Sequence, residues 1–171
     1  MLPPPDKKRI GFCREMARKK LDKFFKHTPP FSLPIPINKI AEFYGFEIYK
    51  LDTLGKYQRA MKFEDKSEKR KLIGLNSTYP LVNQRFSIGH ELGHNFLNHP
   101  NEDECDEDER KLYDREADEF SAELLIPFED LKIKVKNKIN IPDLAKVYLV
   151  SETALVIKIQ NQNLLKYYSI N

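Results

Sequence analysis

Residues 85–94 read Arg85-Phe86-Ser87-Ile88-Gly89-His90-Glu91-Leu92-Gly93-His94, and the spacing within this stretch governs how the rest of the chain is read. On a helix, positions four apart lie one turn apart on the same face. His90 and His94 therefore present two imidazoles side by side, and two such rings can reach one metal ion at about 2.0–2.1 Å. Glu91, one residue on, is angled away from the pair. It can reach a water at the ion without taking a coordination position.

Two histidines do not complete a metal site, so the surroundings must supply a third ligand. Three of the four histidines fall between 90 and 99, but His99 lies five residues beyond His94, about 140° around a helix. It is expected at the helix end or on the surface. A longer histidine pattern would need Gly at 97 and His at 100, where this chain has Leu97 and Pro100. Glu116 is the better candidate. Residues 110–125 predict a helix with an apolar stripe of Leu112, Tyr113, Phe120 and Leu124, and Glu116 falls between Leu112 and Phe120 at four-residue spacing. A buried carboxylate is costly unless it is paired or binds metal. Metal ligation is the preferred reading of Glu116 and a structural ion pair the other. Asp114, Asp118, Glu119 and Glu123 lie off the centre of the stripe and are expected to be solvated. Asp118 is also a candidate to support a ligand histidine from behind.

A chain of 171 residues suits one compact domain or a domain with a small appendage and is long enough to build a core without disulfides. Its two cysteines, Cys13 and Cys105, point to a reducing compartment. No apolar run is long enough to span a membrane. The opening Met1-Leu2-Pro3-Pro4-Pro5-Asp6 lacks the apolar stretch of a secretory signal. The expected location is cytoplasmic. The net charge of +3 conceals an uneven distribution: residues 102–109 hold seven acids in eight positions, and nine bases lie between Lys7 and Lys26. That basic run is expected to be a solvated helix face rather than a nucleic-acid patch.

Periodicity supplies the remaining elements. Ile10, Cys13, Ala17, Leu21 and Phe24 recur at helical spacing, and residues 37–44 predict a second, short helix. Phe46 to Leu51, Arg59 to Phe63 and Lys71 to Leu75 predict strands, with residues 64–70 as a hairpin loop. Helices over about 84–98 and 110–125 follow, joined by the acidic stretch. A lysine-rich segment and two short helices within 141–160 complete the chain. Helices, a small sheet and then helices read as α+β.

His90-Glu91-Leu92-Gly93-His94 is the HExxH arrangement of metallopeptidases. It is followed by Glu116-Ala117-Asp118-Glu119-Phe120-Ser121-Ala122-Glu123-Leu124-Leu125-Ile126-Pro127. With these two blocks the chain resembles the ImmA/IrrE family of metallo-endopeptidases. Ile73 and Asn76 match the strand before the active helix. Leu144-Ala145, Tyr148, Val150-Ser151 and Ala154-Leu155 match a helix-turn-helix-like segment. Ser121 and Ile126 replace the family's usual alanine and methionine. The resemblance spans roughly 35–160.

It implies a gluzincin-like zinc peptidase core over 35–138, with a three-stranded sheet and an active-site helix. Outside that core, a basic helical segment, 1–34, is expected to pack on it and a helix-turn-helix-like segment to occupy 139–171. It also implies Glu116 as third ligand, one Zn2+ per chain, and a protein substrate of the helix-turn-helix (XRE-type) repressor class. Glu91 is then the general base, and Tyr57, Tyr79 and Tyr113 are candidates to stabilise the oxyanion. Leu149 stands where DNA-binding turns commonly have glycine, and arginine is absent from 141–160, so strong DNA binding is not expected. The rival reading is a DNA- or protein-binding regulator with a structural metal site, which Cys105 could close as a fourth ligand.

Overall fold

In the computed structural model, which describes residues 7–52, 54–55, 58–65 and 70–168, the first helix is α1 (Lys7–His27). Its Cys13, Ala17, Leu21 and Phe24 are buried, as their spacing predicts. Helix α2 (Ile37–Phe43) ends at Gly45, whose φ of 82° is a left-handed value that glycine adopts without steric cost.

Three strands follow: β1 (Phe46–Leu51), β2 (Ala60–Asp65) and β3 (Arg70–Asn76). The sheet order is β1-β3-β2, with β3 parallel to β1 and antiparallel to β2. Ile73 of β3 pairs with Ile48 on one side and Lys62 on the other. The central strand is buried from Leu72 to Asn76, as a strand covered on both faces should be. Strand β2 is an edge. The buried Asn76 anchors the chain entering it by donating from Nδ2 to the Gln58 carbonyl, 2.9 Å. Residues 66–69 of the expected hairpin loop lie outside the described residues.

Helices α3 (Leu81–Phe96) and α4 (Glu107–Leu125) form the main helical pair. They meet backbone to backbone through two glycines one turn apart. A Cβ on Gly93 would stand 3.0 Å from Ala117 Cα, and one on Gly89 would stand 2.3 Å from Ser121 Oγ. The Ser121 hydroxyl is satisfied, donating to the Phe86 carbonyl at 2.8 Å. Helix α4 begins three residues earlier than expected because Asp106 and Glu109 form a reciprocal capping box. Part of the acidic stretch is thus a helix start, where negative charge suits the helix dipole.

Helix α1 lies along α4, and the expectation of a solvated basic face holds for Lys19, Lys23 and Lys26, which are exposed, but is corrected for the arginines. Arg9, Arg14 and Arg18 pair with Glu116, Glu119 and Glu123 at 2.8, 2.8 and 2.7 Å. Glu123, expected in solvent, is buried and also accepts from the buried Lys158. The stripe on α4 is broader than its apolar residues suggest because α1 and α3 cover two of its sides.

Helices α5 (Phe128–Lys136), α6 (Ile141–Tyr148) and α7 (Glu152–Asn161) follow, and a short 3-10 turn at Leu165–Tyr167 comes after them. Leu149 makes the turn between α6 and α7 at φ 52°, a left-handed conformation that costs a non-glycine residue roughly 1 kcal/mol. Buried Arg85 braces it, donating to the Leu149 carbonyl at 3.2 Å and to the Ile35 carbonyl at 2.8 Å. Leu144, Tyr148, Leu155 and Ile159 are buried, and the Tyr148 hydroxyl donates to Asp130 at 2.6 Å. Among the described residues no helix is long and apolar enough to cross a membrane.

Candidate metal centre

Helix α3 turns His90, Glu91 and His94 into a cleft of about 720 Å³. Edge strand β2 forms one wall through Ala60, Met61 and Lys62, and the first turns of α4 form another through Arg110, Tyr113 and Asp114. The Nε2 atoms of His90 and His94 are 2.9 Å apart. Asp114 Oδ1 lies 3.4 Å from His94 Nε2 and 3.7 Å from His90 Nε2. A tetrahedral ion with bonds of 2.0–2.1 Å sets its ligand atoms about 3.3 Å apart, so the three atoms converge at the right scale. Among the described residues, His90, His94 and Asp114 are the group that could hold one metal ion. Two imidazoles and a carboxylate suit zinc and its first-row neighbours.

The local electrostatics favour a cation. Burial, reinforced by His90 and His99, pushes His94 down to about 3, which keeps the ring neutral and in its ligating form. At His90 burial also pulls downward, but Asp118, Glu91 and Asp114 together outweigh it and raise the pKa. Two ring nitrogens 2.9 Å apart repel unless a proton or a cation lies between them.

Behind each histidine stands a partner for its other nitrogen. His90 Nδ1 is 2.8 Å from Asp118 Oδ1. His94 Nδ1 is 3.0 Å from His99 Nδ1, and His99 Nε2 is 3.0 Å from Glu116 Oε2. Glu116 in turn accepts from Arg9 Nε at 2.8 Å. The Glu116 carboxyl is held below its usual range: burial opposes this, but the bonds from His99 and Arg9 prevail.

Sequence reading therefore brings His90, Glu91, His94 and Asp118 together, but the structure does not place Glu116 with the histidine pair. Glu116 is buried as its position in the stripe predicts. Of the two roles that burial allows, the ion pair is the one formed, and the His99 ring stands between its carboxylate and His94. His99 stands just past the helix end, one of its two expected places, but is buried rather than at the surface. The helical projection fails because the helix has already ended. Asn98 adopts φ 55° and the His99 N–H bonds back to the His94 carbonyl at 3.0 Å, a Schellman-type reversal that folds His99 beneath His94.

Asp114 is the residue the reading passed over. Its signal was its four-residue spacing from Asp118, which sets a pair of carboxylates against the His90–His94 pair. Of the tyrosines, Tyr113 lines the cleft and its ring packs on His99 at 4.7 Å. Tyr79 sits beside the Arg59 guanidinium, 5.8 Å away, and is not among the lining residues. Tyr57 lies outside the described residues. Cys105 also lines the cleft, with its thiol donating to the Asn101 carbonyl at 3.3 Å, and does not join the histidine–carboxylate group.

The model of the IrrE N-terminal-like domain, Peptidase_M78, matches residues 41–160. No curated protein matches the sequence. Among solved structures, a Mycobacterium tuberculosis transcriptional regulator is similar, with a TM-score of 0.58 and 12% sequence identity over 82% of this chain and 45% of that one. The present chain spans less than half the length of that regulator, and the likeness is one of fold.

Proposed function

We propose that this chain, which belongs to the IrrE N-terminal-like domain family, is a zinc-dependent endopeptidase. His90, His94 and Asp114 hold the ion and Glu91 serves as general base. The observation that carries this reading is the convergence of two Nε2 atoms and one carboxylate oxygen in a cleft bounded by an edge strand.

When bound, a zinc ion supplies Lewis acidity towards a scissile carbonyl and lowers the pKa of water. Glu91, in the same cleft, takes the proton from the attacking water and returns it to the leaving amine. The Tyr113 hydroxyl is the remaining candidate in the cleft to stabilise the oxyanion. Strand β2 pairs with β3 on one side only, so its outer edge can receive an extended peptide by strand addition. Asp118 and His99 orient the two ligand histidines.

The substrate class is a protein, in line with the family. The resemblance to ImmA/IrrE peptidases supports a helix-turn-helix repressor. The acidic stretch, which reaches the cleft through Cys105 and Glu107, suits such basic partners by long-range attraction. The unpaired cysteines suit a cytoplasmic location.

The decisive variant is Glu91→Gln. It is expected to keep one zinc per chain while abolishing cleavage of a co-expressed helix-turn-helix repressor, read by mass spectrometry. Loss of the metal, or undiminished cleavage, rejects the assignment.

A further inference from the structure

We infer that Arg9, Glu116 and His99 form a buried relay that fixes which nitrogen of His94 faces the metal centre, an inference that rests on His94 being a metal ligand. The direction of each hydrogen bond follows from the far end of the chain of contacts. A guanidinium only donates and an ionised carboxylate only accepts. Arg9 Nε donates to Glu116 Oε1 at 2.8 Å and to Oε2 at 2.9 Å. Glu116 Oε2, 3.0 Å from His99 Nε2, must therefore accept a proton from that nitrogen. Where the His99 ring is neutral its other nitrogen is then an acceptor, whereas a protonated ring would donate from both. His99 Nδ1, 3.0 Å from His94 Nδ1, accepts from it. The His94 proton is thereby held on Nδ1, and its Nε2 lone pair is turned towards His90 and Asp114.

Burial makes the arrangement obligatory. The side chains of Arg9, Glu116 and His99 are 7%, 1% and 0% exposed, so bulk water cannot take over any of these bonds. His90 reaches the same state by a shorter route, with Nδ1 against the Asp118 carboxylate at 2.8 Å, and Asp118 is 55% exposed. The two ligands are thus oriented by different means, one through a solvated carboxylate and one through a sealed network. Arg9 lies on α1, ahead of residues 41–160 that match the family model. The N-terminal helix is therefore part of the support of the metal centre. Arg9, Glu116 and His99 are positioning residues, because none of them offers a ligand atom to the His90–His94–Asp114 group: His99 touches it only through the rear nitrogen of His94.

The test uses the full chain, labelled with 15N. Long-range 1H–15N spectra recorded before zinc is added should show His94 protonated on Nδ1. A proton on Nε2 in the wild type overturns the relay. His99→Leu should shift His94 towards the other tautomer and weaken zinc binding by about 10–100-fold in chelator competition. His99→Asn, whose amide oxygen can stand near the former Nδ1, should recover most of that loss. Zinc affinity of folded His99→Leu within about twofold of wild type also overturns the relay. Should His99→Leu fail to fold, the wild-type spectrum and His99→Asn decide. Glu116→Gln separates this role from direct ligation: a loss beyond about 100-fold with the His94 tautomer unchanged assigns Glu116 to the metal and rejects the relay. A wild-type chain that binds no zinc sinks the peptidase reading, whereas the tautomer of His94 still decides the relay.

Discussion

Asp114 and Glu116 are two positions apart on one helix, hence about 200° apart around its axis, and that angle gives them different roles. Asp114 faces the histidine pair across the cleft, whereas Glu116 faces His99 and Arg9 in the interior. Asp114→Asn is expected to weaken zinc binding roughly tenfold or more. Glu119→Gln, at a residue that pairs with Arg14 and Asn161 and is not among the cleft-lining residues, should leave it unchanged. Equal affinities for Asp114→Asn and wild type would reject the ligand set. His94 also makes stability depend on pH. Its pKa is pushed down to about 3 in the fold, against about 6.5 for an unfolded histidine. Between those values the unfolded chain binds a proton that the folded chain refuses. The stability contributed by this group is therefore full above about pH 6.5 and lost as pH falls towards 3. His90, raised in the fold, offsets part of this. With zinc chelated, the melting temperature should fall on acidification from pH 7 to 4, and less steeply in His94→Gln; parallel curves would refute the assignment.

At the level of elements, the close crossing of α3 and α4 brings the two halves of the site together. Gly93 has no room for a side chain, since its Cβ would press on the Ala117 Cα and carbonyl at 3.0 and 3.1 Å. Backbone atoms cannot yield as a flexible side chain does. Gly93→Ala should destabilise by about 1–3 kcal/mol through overpacking, which outweighs the roughly 1 kcal/mol that alanine gains in a helix. It should also weaken zinc binding, because it forces Asp114 away from His94. Gly11, on α1 with nothing within 4 Å of its Cβ position, is the control: Gly11→Ala should stabilise by up to about 1 kcal/mol. Thermal melts of the two variants check the opposite signs. The glycines of the motif were legible as residues, but their function was not, because the spacing of 89 and 93 acquires meaning only against Ala117 and Ser121.

Across the whole molecule, the arginines of α1 and the one base of α7 are spent on internal pairs, Arg9, Arg14 and Arg18 with α4 and Lys158 with Glu123. Lys158, the one base in α7, is 2% exposed and bound to Glu123, so α7 offers no cation to phosphate. DNA binding should be weak and lost at physiological salt, because neutralising phosphates takes several exposed bases. Sequence-specific binding to a short duplex at that salt, abolished by changes within 151–158, would overturn this expectation. The sequence alone determined the α+β order of elements, the bounds of the three strands to within two residues, and the face shared by His90 and His94. Each of these follows from periodicity over a few neighbouring residues, where backbone geometry leaves few alternatives. It also determined that Glu116 is buried, but not what meets it there. Only the tertiary structure decided that Asp114 faces the histidines, that His99 folds beneath His94, and that basic α1 is an internal partner of α4. Those outcomes depend on which side of α4 each neighbour covers, and the neighbours come from far along the chain, with Arg9 and Glu116 separated by 107 positions. The spacing of residues along one helix gives a direction around its axis, and docking alone says what lies in that direction.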